Sequence, residues 1–290
     1  MADMNQVLDG LQELTALPHT VLRITGMLTG GAASASEIEQ VARHDEALTM
    51  TILRWANSAA FGRPGCTFTL RESIARLGNS TLPKIVLQQK TSPMFRRAGV
   101  AYGLERGALW RSAVGGAIAA ELLARRAGFG EPDIAFVGGL LRDVGKLAFD
   151  AAYGEDYMEL VRRHTAPDRT FVDAERSAFG FDHAQLGAAL AGRWGLPERI
   201  GRCIAFHHSP PPPGADHDDL FDLVHAADII GLWAGLAIGC DGMQYRLAEH
   251  VRTSLDLTRS AAEELIAGTW DKLRQLEAVM EQPVSRRIPA

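Results

Sequence analysis

Apolar residues recur three and four positions apart along most of this chain, the spacing that collects them on one face of an α-helix. Leu48, Ile52, Leu53, Trp55 and Ala56 show it in one stretch, and Ile74 with Leu77 in the next. Alternating β-branched runs of strand length are missing, and Ala, Leu, Glu and Arg dominate. The pattern predicts an all-α chain. Ser36 with Glu39, and Ser260 with Glu263, have the spacing of capping boxes. Pro132 and Pro197 suit first helical positions. Gly62, Gly78, Gly128, Gly195 and Gly268 stand where helices could end in a left-handed residue.

Composition narrows the class. A chain of 290 residues, 47% hydrophobic and 22% charged, can bury a substantial core without disulfides, and a disordered or collagen-like chain is excluded. Cys66, Cys203 and Cys240 are widely spaced with no CxxC, so neither a disulfide scaffold nor a cysteine zinc site is expected. The uncharged run from Ile229 to Cys240, between Asp228 and Asp241, falls far short of the ~20 residues a membrane span needs. The start, MADMNQVLDG, has no basic apolar run of a signal peptide, so a cytoplasmic location and no membrane partner are expected. A net charge of −5 and a pI near 6.0 give no electrostatic footprint for nucleic acid.

Residues 1–90 read as a first helical unit and 91–108 as a Gly- and Arg-rich hinge, in which Arg96, Arg97 and Arg106 are expected to be solvated. A second unit follows over 109–209, then a stiff exposed loop at Ser209 to Gly214, then further helices over 217–282 and a frayed end. Stated as domains, this is 1–100 and 101–282, the latter closed by a C-terminal extension at 217–282. Asn57 and Ser58 are expected to end a helix by bonding nearby backbone, and Trp55, Trp110 and Trp194 to fill core and interfaces. Gly138-Gly139 should allow close helix contact. His19, His44, His164, His217 and His250 read as surface residues.

Five segments carry chemistry: LWRSAVGGAIAAELL (109–123), FVGGLLRDVGKLAF (136–149), FGFDHAQLGAALAGRWGLP (179–197), CIAFHHSP (203–210) and LVHAADIIG (223–231). Together they resemble the HD superfamily of metal-dependent phosphohydrolases. There a His, a His-Asp doublet and a distant Asp hold a divalent metal, and further histidines hold a second. Imidazoles and carboxylates suit such ions, and an open position makes a bound water nucleophilic at neutral pH. The resemblance breaks at two places. Ser112 stands where the first histidine belongs, and the doublet reads Arg142-Asp143. A guanidinium has no lone pair to give a metal, and a serine hydroxyl is a poor ligand beside imidazole. Asp143 and Asp228 remain of the first set; His183, His207 and His208 match the second. Weak metal candidates are Asp143, His183, His207 and Asp228, but no metal or other cofactor is expected. Arg142 has two readings. It lies near Asp143, Asp228 or both and offsets carboxylate charge in place of a metal, or it turns out to solvent.

The first unit narrows the resemblance. Leu17-Pro18, Asp45-Glu46-Ala47-Leu48, Asn57-Ser58-Ala59-Ala60-Phe61-Gly62 and LRESIARLGNSTLPKIVL (70–87) are similar to the N-terminal half of the HDOD domain, the HD-related output domain. Glu46 replaces the proline usual there. The likeness covers about residues 13–209 and marks Asp45, Asn57 and Ser58 as its N-terminal motif. It implies an N-terminal helical bundle packed on an HD-like helical bundle, and a non-catalytic bacterial signalling module. Such a module would act through contacts with signalling proteins in trans, with a homo-oligomer possible. The alternatives are a phosphohydrolase or phosphodiesterase with a reduced ligand set, and a nucleotide- or anion-binding sensor at the former metal pocket.

Overall fold

In a computed structural model the chain is described over residues 3–11, 17–30, 35–58, 61, 69–165, 169–236, 239 and 245–281, and these hold α-helices and no strand. The first half contains α1 (Met4–Gly10), α2 (His19–Thr29), α3 (Ala35–Arg43), α4 (Glu46–Ala56) and the long α5 (Leu70–Arg97). Asp45 caps α4 by accepting the Leu48 amide at 3.0 Å. At its other end the Asn57 amide donates to the Leu53 carbonyl at 2.8 Å, and the Ser58 hydroxyl to the Trp55 carbonyl at 2.8 Å. Thr69 and Glu72 form a reciprocal capping box at the start of α5. Gly78, at φ 73°, breaks α5 into two helical pieces, a conformation that a residue with a Cβ rarely adopts. The buried face of α4, including Leu48 and Ile52, packs on α5, which also meets α2 and α3.

The second half contains α6 (Ala108–Arg126), α7 (Pro132–Leu141), α8 (Val144–Tyr153), α9 (Asp156–Arg162), α10 (Phe171–Phe179), α11 (His183–Arg193), α12 (Glu198–Phe206), α13 (Asp219–Trp233), α14 (Glu249–Ser254) and α15 (Arg259–Glu281). The small-residue helix α6 is its axle, in contact with α5, α7, α13 and α15. A Cβ on Gly139 would lie 2.6 Å from the Gly116 carbonyl oxygen and 2.8 Å from Ala117 Cα, so the α6 and α7 backbones touch because Gly139 lacks a side chain. α15 lies along α6 and α13 and reaches the first half, where Arg54 donates to the Met280 carbonyl at 3.0 Å.

Several expectations change. Ser36 and Ser260 lie inside α3 and α15, so neither is a cap; the Thr258 hydroxyl accepts the Ala261 amide instead. Pro132 is a first-turn residue, but Pro197 is the N-cap of α12 rather than its first residue. Gly128 and Gly195 do follow helices in the left-handed region, with Phe129 and Leu196 amides closing back on the Ala124 and Ala191 carbonyls. Gly268 sits in mid-α15 against Leu122. The hinge is shorter than its composition suggested. α5 runs to Arg97 with Thr91, Ser92 and Phe95 buried, and only then comes a loop with one 3₁₀ turn, Val100–Tyr102. Arg96 is not simply solvated: its guanidinium lies 4.2 Å from the Trp110 ring centre and bonds Ser92. Pro210 is buried, although Pro212 to Gly214 are exposed. Ala59, Ala60, Gly62, Cys66, Cys240 and the last residues from 282 onward lie outside the described residues.

Candidate functional site

Arg142 closes α7 and Asp143 precedes α8, so the sharp turn between two buried helices aims both side chains inward. Arg142 is only 1% exposed. Its Nε donates to Asp228 Oδ1 on α13 at 2.7 Å, and Nη1 donates to the Gly139 carbonyl at 2.8 Å and the Ser112 carbonyl at 3.2 Å. Nη2 donates to Ser112 Oγ at 2.8 Å and lies 3.1 Å from Asp143 Oδ2. The inward reading of Arg142 is the one realised. Ser112 receives the arginine that stands one site away, and Gly116 makes room: a Cβ there would meet Nη1 at 2.2 Å. Lys146, one helical turn after Asp143, sets its ammonium 3.2 Å from Asp143 Oδ1. Burial alone would raise the Asp143 carboxyl, but the Lys146 and Arg142 charges outweigh it and hold the group far below the ordinary carboxylate range.

The histidines form the other half of the centre. His183 opens α11 behind an Asp182–Gln185 capping box, and Gly145 lets α8 approach it so closely that a Cβ would strike the His183 carbonyl. His183 Nδ1 lies 2.7 Å from Glu175 Oε2, which also accepts the His183 amide; Glu175 Oε1 takes the hydroxyls of Tyr102 and Tyr157. Burial opposes a charge on His183, but the Glu175 carboxylate and its hydrogen bond prevail and raise its pKa. His183 Nε2 lies 2.8 Å from His208 Nε2, within hydrogen-bond reach. His208 stacks flat on Tyr245 at 4.2 Å, with Nδ1 3.6 Å from Asp228 Oδ2, and burial keeps it neutral well below the usual histidine pKa. His207 donates Nδ1–H to the Ile204 carbonyl, leaving Nε2 as a buried lone pair without a partner; burial lowers its pKa to about 4. Three carboxylates (Asp143, Glu175, Asp228) thus share one buried centre with the Arg142 and Lys146 cations and the His183 imidazole.

A two-ion hydrolase centre does not fit these residues. The guanidinium spans Asp143, Asp228 and Ser112, the space a first ion would share, and it cannot ligate. The second half retains donors: ligand atoms of His183, His207 and His208 lie within 4.8 Å of one another, and Asp143 Oδ1 is 3.7 Å from His183 and 3.9 Å from His207. Both Asp143 oxygens lack a hydrogen bond despite their charge contacts. This donor set suits one transition ion, for which Lys146 competes at Asp143.

Glu175, Tyr102, Tyr157, Lys146, His225 and Tyr245 were not singled out in the sequence. Lys146 had a signal, one turn beyond Asp143 in LRDVGK. His225 Nδ1 bonds the His207 carbonyl and its Nε2 accepts the Ala248 amide, tying α13 to the α12 end and the segment before α14. Glu175 had no signal in periodicity. Among the histidines read as surface, His19 and His44 are exposed and His164 half-buried. His217 and His250 are half-buried around Asp222, with Nε2 atoms 3.8 and 3.5 Å from its carboxylate. Asp45 and Asn57 are the N-cap and C-cap of α4 and Ser58 follows, its hydroxyl on the Trp55 carbonyl, with Asp45 also paired to Lys90. Trp110 and Trp194 are buried, while Trp55 is half-buried.

The HDOD domain family profile matches residues 14–210. An HDOD domain protein of unknown function from Geobacter sulfurreducens has the same fold at 28% identity and TM-score 0.74, over 96% of each chain. A Marinobacter aquaeolei VT8 protein, named provisionally for signal transduction, aligns at 20% identity and TM-score 0.74 over 96% of this chain and 65% of that one. A Shewanella amazonensis SB2B protein, named provisionally as a phosphohydrolase, aligns at 22% identity and TM-score 0.69 over 94% and 97%. The last two likenesses show the fold alone. An uncharacterized Treponema pallidum protein is 28% identical over 229 residues, 77% of this chain; the chain spans 43% of the length of that relative.

Proposed function

We propose that this chain, which belongs to the HDOD domain family, is a regulatory module without hydrolytic activity, working through contacts with other signalling proteins. The carrying observation is the Arg142 guanidinium, bonded to Asp228 and lying against Asp143 where a hydrolase needs a metal and its water. A resident cation supplies the charge balance of the ion, so the helices around it stay assembled, but it offers no open coordination position and generates no nucleophile. The helical frame then serves as a scaffold. No helix among the described residues is long and apolar enough to cross a membrane.

The test is turnover of bis-p-nitrophenyl phosphate and of cyclic dinucleotides with added Mn²⁺, Fe²⁺ or Ni²⁺. The purified protein should show none above background. Metal-dependent turnover that disappears in Asp143→Ala overturns the proposal and favours the second reading, a one-ion hydrolase built on His183, His207, His208 and Asp143, for which the clustering of the three imidazoles is the supporting observation.

A further inference from the structure

A cavity of about 350 Å³ opens at the seam where α4 and α5 meet α6 and α15, well apart in its lining from the Arg142 centre. Trp55 and Phe61, edge to face with ring centres 6.0 Å apart, line one side, and Ile85, Ile118 and Phe136 add apolar wall. Gln88 of α5 also lines it. This residue is 8% exposed, and its carboxamide makes no hydrogen bond among the described residues. Lining the cavity, this carboxamide presents two donors and an acceptor to whatever enters it.

Charge adds direction. Lys84, Arg125 and Lys272 line the cavity against a single lining carboxylate, Glu121, and Lys84 and Arg125 both bond one oxygen of it. Lys272 has no ion pair among the described residues. An apolar guest leaves Gln88 unanswered, and a simple inorganic anion leaves the aromatic side unused. We propose that this seam is a binding site for a small planar heteroaromatic anion of mononucleotide size, its ring edge read by Gln88, its face against the Trp55–Phe61 side and its anionic group on Lys272 and Arg125. The volume falls at the lower end of ligand pockets, which begin at roughly 300 Å³. Because helices from both halves of the chain line the site, an occupant tightens their packing, a route by which a metabolite could set the module's state. The proposal does not depend on the Arg142 centre being catalytically silent.

The experiment titrates the full chain with AMP and GMP, followed by calorimetry and tryptophan fluorescence, with adenosine and ribose 5-phosphate as half-ligands. AMP or GMP should bind saturably, more tightly than either half-ligand. Affinity should fall about tenfold or more in Gln88→Leu and in Lys272→Glu. Trp55→Phe should remove the fluorescence change but not the calorimetric signal. Lys272 is exposed, so its variant reports even if Gln88→Leu folds poorly. No saturable binding of either nucleotide up to about 5 mM, or an affinity unchanged in either folded variant, overturns the assignment. Turnover assays are separate, so failure here leaves the regulatory reading standing.

Discussion

Two buried cations anchor this molecule in different ways. Arg142, with its side chain 2% exposed, is sealed on all sides and bonds Asp228, Ser112 and Gly139. Lys84, at 10%, is held by Glu121 at 2.9 Å, Asp133 at 2.7 Å and Ser80 at 3.3 Å, but borders an open cavity. The difference follows from the groups. A guanidinium is planar, weakly hydrated and directs five donors along fixed lines, so it can be enclosed where acceptors stand ready. An ammonium is a strongly hydrated point charge, better kept near solvent. Arg142 therefore fixes geometry, whereas Lys84 supplies charge beside a site that something else can enter.

The sharpest way to break this contrast is Arg142→Ala. It leaves Asp143 and Asp228 buried with one cation fewer and should cost about 3–5 kcal/mol in denaturant midpoints. Arg142→Met, which keeps the stem and drops the charge, should be nearly as harmful. Asp228→Asn in the Ala background should recover part of the loss, a non-additivity read by the double-mutant cycle. An unchanged midpoint in Arg142→Ala would show the guanidinium to be a passenger.

The second test is pH. His207 is neutral in the fold with a pKa near 4, against 6.5 when unfolded. The native state thus binds fewer protons, so this residue's contribution is complete above pH 6.5 and is lost as pH falls towards 4. The loss totals about 3 kcal/mol. His183, whose pKa is raised, works in the opposite sense: its contribution is present below 6.5 and is lost as pH rises through its folded value. Urea midpoints of the parent should therefore fall more steeply than those of His207→Asn between pH 6.5 and 4; parallel curves would refute the assignment.

The smallest effect is expected at the other cation. Lys84→Met should cost about 1–2 kcal/mol, between the exposed and buried limits, because Glu121 keeps Arg125 and Asp133 keeps partial contact with water. A loss equal to that of Arg142→Ala would erase the distinction between a sealed and an open cation.

The apolar spacing sufficed for the helical class, since a 3.6-residue period is a local property written directly in the chain. The ordered segments around Asn57, Asp143, His183 and His207-His208 sufficed for the family, and the residues at 112 and 142 announced that two ligands were gone. Helix starts were less legible: Ser36 and Ser260 have capping spacing, but identical short patterns occur inside helices, and only the tertiary path decides where the backbone leaves the helical region. The direction of Arg142 was likewise undetermined, because a residue at a helix end can turn in or out with the same local sequence. It is settled by Asp228, 86 residues away, by Ser112, and by the empty side-chain position of Gly116. Glu175 was invisible for the same reason. Its partners come from the 3₁₀ turn, from α9 and from the start of α11, and a buried carboxylate becomes affordable only after folding delivers Tyr102, Tyr157 and His183 to it together.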